Sequence, residues 1–176
     1  MTSLVKNAAS LGITYSVSSL SVLSSSYLPE NALIDNNKPY FHSAYSASNQ
    51  WWQISFSKQV AISSYLIRTG VNKGRRLTAW HVNASNDNVT WRTVHTVTGK
   101  DIGGNTAKFY PNSTVHCLHF RIIQDNNEYN NILPLTFFDC FGELSPNPSP
   151  TNKVKCYCDE GIYKKRSPFW YKSYLY

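Results

Sequence analysis

His116 and His119 are the first residues to test for chemistry, because two imidazoles close in sequence can share a metal ion or relay a proton. Three positions apart on a strand, they fall on opposite faces and cannot readily share a metal. Asp125 and Glu128 have the spacing of a carboxylate pair, but an Asn-rich solvated turn lacks the burial that would make one an acid and the other a base. The sequence has no Gly-x-Ser-x-Gly elbow, phosphate loop or His-Glu-x-x-His helix. Cys117, Cys140, Cys156 and Cys158 are too few for a disulfide scaffold and too irregular for a CxxC zinc site. Cys117 and Cys140 are expected as buried thiols; a bridge becomes feasible only if their strands pair as a hairpin. This chemistry favours a binding module over an enzyme.

Such residues need elements to position them, and here the pattern is strand-like. Among 176 residues there are 12 Tyr, 8 Phe and 5 Trp, with many β-branched residues and little Glu or Ala to fill helix surfaces. Period-two alternation runs through Ile13 to Val17, Trp52 to Phe56, Ile62 to Arg68, Leu77 to Ser85, Thr90 to Val97, Thr106 to Tyr110, His116 to Gln124 and Leu135 to Gly142. Clusters of Gly, Asn, Asp and Pro separate these runs. Eight short strands at that spacing predict an all-β antiparallel sandwich or barrel. Residues 31 to 49 lack a sustained period and read as a long ordered loop. Adjacent strand residues point to opposite faces, so one of Trp51 and Trp52 is expected in the core and the other on the outer face or under a loop. Trp80 and Trp91 are expected in the core or against a sheet.

The sequence divides into 1–144 for the sandwich, a Pro-rich linker at 145–150 and an irregular tail at 151–176. Of the +7 formal charge, 1–150 carries 11 basic and 8 acidic residues and 151–176 carries 6 and 2, so the tail is the basic part. It also holds seven aromatics from Tyr157 to Tyr176, and Phe169, Trp170 and Tyr171 are the candidates for docking on a partner. A nucleic-acid partner is not expected, and no apolar run approaches the roughly 18 residues of a membrane span. Serines interrupt every apolar stretch before Leu28, so a cytoplasmic location, cytoskeletal or ciliary included, is expected over secretion.

Several ordered blocks carry a family likeness. Asn31-Ala32-Leu33-Ile34-Asp35, Tyr40-Phe41-His42-Ser43 and Gln50-Trp51-Trp52-Gln53-Ile54-Ser55-Phe56 resemble the opening of a discoidin domain, the C-type module of coagulation factors V and VIII. Trp80 to Trp91, His119-Phe120-Arg121-Ile122 and Phe138-Asp139-Cys140-Phe141-Gly142 resemble its later strands, so the likeness covers residues 10 to 143. The resemblance implies an eight-stranded jelly-roll β-sandwich of the galactose-binding-like type, with ligand loops gathered at one end.

Those loops would be Asn36 to Ser43, Val71 to Arg76 and Asp125 to Asn131. Within them Asn36, His42, Arg75, Arg76, Asn127 and Tyr129 resemble the His, Arg, Asn and aromatic set of family-32 carbohydrate-binding modules. The resemblance therefore implies a non-catalytic module binding a terminal galactose-like sugar. A second implied reading is an intracellular assembly subunit, similar to the discoidin-fold component of intraflagellar transport, with the tail gripping a protein surface. Loop tips of Asn, Lys and Gly disfavour lipid insertion. No cofactor is required, but many family members hold a structural calcium. Asp35 and Ser43 match two of its ligands, while Phe137 stands where a Glu ligand is expected.

Overall fold

The computed structural model describes residues 1–35, 38–45, 49–70, 76–127 and 132–146, with the backbone alone at 126 and 127. The chain divides into two units, Met1–Ser145 and Pro146–Tyr176. The first is an antiparallel β-sandwich built around one long strand.

The strands in chain order are β1 (Thr2–Ser3), β2 (Tyr15–Ser19), β3 (Phe41–His42), β4 (Trp51–Arg68), β5 (Leu77–Ser85), β6 (Arg92–Val97), β7 (Ala107–Phe109), β8 (Val115–Asn127), β9 (Pro134–Leu135) and β10 (Phe137–Leu144), with a 3-10 turn at Pro29–Leu33. Eight of them form one hydrogen-bonded network, and β3 pairs with β9 alone. The expected strands at 52–56 and 62–68 are a single element of 18 residues, and Ser57-Lys58-Gln59 between them contains no Gly, Pro, Asn or Asp to break it. Straight, β4 would span about 60 Å, more than a domain of this size can hold. It bends between Ser55 and Val60, where its register with β8 shifts. The first half pairs with β2 and β8, whereas the second gains β10 and β7 and keeps β8 only as far as Ile62. One strand thus contributes to both layers.

The bend returns the two ends of β4 to the same end of the sandwich. Trp52, near its start, lies with its ring centroid 4.6 Å from that of Phe138, and Phe138 pairs with Ile67 near the finish of β4. Between the layers Trp52, Trp80, Tyr65, Phe41, Phe120 and Phe138 are fully buried. Trp80 Nε1 donates to Tyr65 Oη at 3.0 Å, and Tyr65 Oη is hydrogen-bonded in turn to His95 Nδ1 at 2.8 Å. Burial raises the Tyr65 pKa, so its phenol stays protonated. Gly142 sits where the register between β10 and β4 shifts, and a Cβ there would run into the carbonyl oxygen of Ala61.

Cys117 and Cys140 are free and buried. They lie on β8 and β10, which flank β4 on opposite sides rather than pairing as a hairpin. Desolvation pushes the Cys117 thiol up to about 12 and holds Cys140 well above the ordinary thiol range.

Candidate functional site

The described flanks of the three candidate loops meet at one rim. Gln124 N donates to Gln50 O at 2.9 Å, which joins the exit of the first loop to the far part of β8. Leu77, where the second loop enters β5, pairs with Asn127, where the third loop leaves β8. Ser43 N donates to Leu133 O at 3.2 Å and Leu133 N to Ser43 Oγ at 2.8 Å, tying the first loop to the third. Thr136 Oγ1 donates to Thr69 O at 3.2 Å, where the second loop begins. Segments remote in sequence therefore spring from a shared, hydrogen-bonded base.

The sequence-predicted residues fare differently on that rim. Asn36, Arg75 and Tyr129 lie outside the described residues, as do Phe169, Trp170 and Tyr171 of the tail. Asn127 contributes the last backbone position of β8, and its side chain is likewise outside. Arg76 donates from Nη1 to Asp101 Oδ2 at 2.7 Å, so its guanidinium is held over the turn between β6 and β7. His42 is wholly buried, with Nδ1 donating to Ser43 O at 2.6 Å. Its ring packs within 5.4 to 6.2 Å of Tyr27, Tyr40 and Tyr45. In this cluster His42 is a support, and Tyr45, 54% exposed, is the ring that meets solvent.

The candidate calcium ligands are engaged elsewhere. Asp35 Oδ1 accepts from Arg68 Nη2 at 3.2 Å. Ser43 is fully buried, where its hydroxyl accepts from Leu133 N and faces Ala44 O at 3.3 Å. Arg68 also reaches Thr136 Oγ1 and Thr106 Oγ1, and it rests 5.4 Å from the ring centre of Phe137. A guanidinium thus neutralises Asp35, and an aromatic ring stands in place of the expected Glu; among the described residues this donor set does not fit calcium, which wants several carboxylate and carbonyl oxygens. No group of three or more His, Cys, Asp and Glu suited to a metal occurs among the described residues.

A second constellation lies on the outer face of the sheet. Trp51, Gln53 and Ser55 point outward from β4, and His119 and Arg121 from β8 beside them. Trp52 is therefore the core member of the Trp pair and Trp51 the outer one, as the alternation requires. The Arg121 guanidinium is stacked between two indoles, 4.1 Å from the centre of Trp51 and 3.8 Å from that of Trp91. Its Nε and Nη2 donate to Gln53 Oε1 at 3.0 and 2.7 Å. Gln53 Nε2 then donates to Ser55 Oγ and Asn88 Oδ1, so both ends of this buried amide are satisfied. Ser55 Oγ and His119 Nδ1 share a hydrogen bond of 2.9 Å, and desolvation with the nearby Arg121 charge lowers the His119 pKa. The Tyr27, Tyr40 and Tyr45 cluster and the Trp51–Arg121–Trp91 stack are absent from the sequence-level site. Equal parity of Trp51, Gln53 and Ser55 signals the second; nothing in the sequence signals the first.

The family model for the F5/8 type C domain matches residues 14–134. No curated protein matches the chain. Among solved structures, CBM32-1 from a family 31 glycoside hydrolase from Clostridium perfringens is similar at 18% identity and TM-score 0.62, covering 73% of this chain and 93% of that one. CpGH89CBM32-5 from Clostridium perfringens, in complex with GalNAc-β-1,3-galactose, is similar at 12% identity and TM-score 0.64, covering 80% and 100%. The family 32 module of NanJ from Clostridium perfringens, in complex with galactose, is similar at 15% identity and TM-score 0.62, covering 72% and 92%. At these identities the structural likeness speaks to the fold, whereas the family model spans most of the sandwich. The chain belongs to the F5/8 type C, or discoidin, domain family.

Proposed function

We propose that the sandwich is a non-catalytic recognition module that binds a terminal galactose-like sugar at the loop rim. The observation that carries this reading is the convergence of three loop bases at one rim, where the exposed Tyr45 packs on the buried His42 of the first loop. A pyranose offers one apolar C–H face and several hydroxyls; a rigid aromatic ring suits the first and loop polar groups suit the second. The galactose and GalNAc-β-1,3-galactose held by two of the similar structures support the choice of sugar class.

Calorimetric titration with galactose, N-acetylgalactosamine, glucose and mannose tests the proposal. Galactose or its N-acetyl derivative should release saturable heat, and Tyr45→Ala should weaken that binding about ten-fold. A flat response to all four sugars would sink it.

A further inference from the structure

At the end of the sandwich opposite the rim, the turn joining β5 to β6 forms a cleft of about 240 Å3 lined by Ser85, Asn86, Asp87, Thr90, Trp91 and Arg92. Its place is fixed by Asn86, whose Oδ1 accepts from Gln59 Nε2 at the β4 bend and from Leu118 N near the start of β8. The volume falls below the roughly 300–1,000 Å3 of pockets for drug-sized ligands and suits one sugar ring.

Its walls are held in place before any ligand arrives. One face of the Trp91 ring is stacked on Arg121, and Arg121 is locked to Gln53, so the remaining surface of the indole is a fixed platform. Asp87 Oδ1 accepts from Val89 N at 2.9 Å, Thr90 N at 2.7 Å and Ser85 Oγ at 2.9 Å. These bonds, with a further one from the Thr90 side chain, keep the exposed carboxylate ionised and oriented; the bonds from Val89 N, Thr90 N and Ser85 Oγ all fall on Oδ1. With Asn86 Oδ1 engaged by two donors, its Nδ2 is oriented as a donor. Arg92 is exposed and uses Nη2 on His116 O at 3.1 Å, which anchors its guanidinium by one corner. An aromatic platform, an ionised acceptor and two oriented donors thus surround a space of sugar-ring size.

We propose that this cleft is a second saccharide subsite, taking one pyranose ring of a neutral glycan at the end of the sandwich opposite the loop rim. Trp91 covers the apolar C–H face, Asp87 Oδ2 accepts from a ring hydroxyl, and Asn86 and Arg92 donate to hydroxyl oxygens. The proposal stands on the turn and not on the rim. With both sites present, one rigid domain engages two glycan chains, and weak single-site binding gains avidity on a dense surface.

Titrating the isotopically labelled full chain with methyl β-galactopyranoside, methyl β-glucopyranoside and methyl α-mannopyranoside, read by nuclear magnetic resonance, separates the two ends. At least one of these should produce saturable shifts at the Trp91 indole N–H and the Asn86 side-chain amide. Arg92→Ala should weaken that response about ten-fold, while Tyr45→Ala should leave it within about two-fold. Should Arg92→Ala disturb the turn, Thr90→Trp, which fills the cleft from an exposed position, replaces it and should abolish the response. Absence of saturable shifts at Trp91 and Asn86 with all three glycosides overturns the subsite. A response lost equally in Tyr45→Ala, or unchanged when the cleft is altered, overturns it as well. Signals from the rim are read separately in the same spectra, so failure at one end leaves the other judged on its own.

Discussion

The inner and outer faces of the β4–β8 sheet are made by alternate residues of the same strands, yet they are held by different forces. Inside, Trp52, Ile54 and Phe56 of β4 meet Phe120 and Ile122 of β8 and Phe138 of the second layer, and stability comes from apolar area removed from water. Outside, Trp51, Arg121 and Trp91 form a stack whose central cation is tied to a chain of hydrogen bonds through Gln53 and Ser55 to His119. The inner face tolerates neither voids nor charge. The outer face depends on charge and geometry, and it fixes a turn that lines a cleft. Packing builds the scaffold; oriented polar groups shape its surface.

The strongest way to break this comparison is to truncate the neighbouring indoles. Trp52→Ala should cost about 3–5 kcal/mol in denaturant unfolding, because it leaves a cavity against Phe138 and orphans the Pro29 carbonyl that Trp52 Nε1 serves. Trp51→Ala should cost less than half as much, since only stacking and partial burial are lost. Equal losses would erase the distinction drawn between the faces.

Arg121→Ala comes next, with an expected loss of about 1–3 kcal/mol as Gln53 loses two donors in a buried position. The loss should be accompanied by faster hydrogen exchange in the 86–91 turn, with the core unchanged. A variant that leaves exchange in that turn unaltered would deny the stack its positioning role.

Protonation offers a gentler probe of both faces. His95 is hydrogen-bonded to the buried Tyr65 and His119 to Ser55, and desolvation lowers both pKa values below the ordinary 6.5. The unfolded chain therefore binds more protons near neutrality, so this stabilisation is complete above the unfolded value and is lost as pH falls through the folded values. Thermal unfolding should shift to lower temperature between about pH 7.5 and about pH 5.5, and His95→Gln with His119→Gln should flatten that slope. An unaltered slope in the double variant would assign the pH dependence to other groups.

The smallest effect is expected at the rim, where Arg68 on Phe137 uses the outer face's device, a cation on an aromatic ring, to neutralise Asp35. Calcium at millimolar concentration should leave the melting temperature unchanged, whereas Arg68→Met should lower it by a few degrees, about 1 kcal/mol. A calcium-dependent rise in the parent protein would show that the loop recruits a metal despite this ion pair.

Several of these features were legible before any coordinates. Period-two alternation at Trp51 to Phe56 required that one indole face inward, and turn clusters such as Asn86-Asp87-Asn88 marked the strand ends. The bend in β4 was not legible, because a bulge at residues 55–60 arises from pairing the same strand with two different sets of neighbours. Nor was the burial of His42: its residue type suits a sugar site, but Tyr27 and Tyr40 cover it only after β3 and β9 pair.

By itself the sequence determined the all-β class, the order of the strands and the parity of each side chain, because these follow from local backbone geometry and the repeat of apolar residues. Tertiary structure alone decided that Trp51 and Trp91 would close on Arg121 from either side, which cation would answer Asp35 and which ring would meet solvent at the rim. Those choices depend on contacts between residues up to about a hundred positions apart, such as Arg68 with Thr136 and Ser43 with Leu133, and no local pattern encodes a distance of that kind.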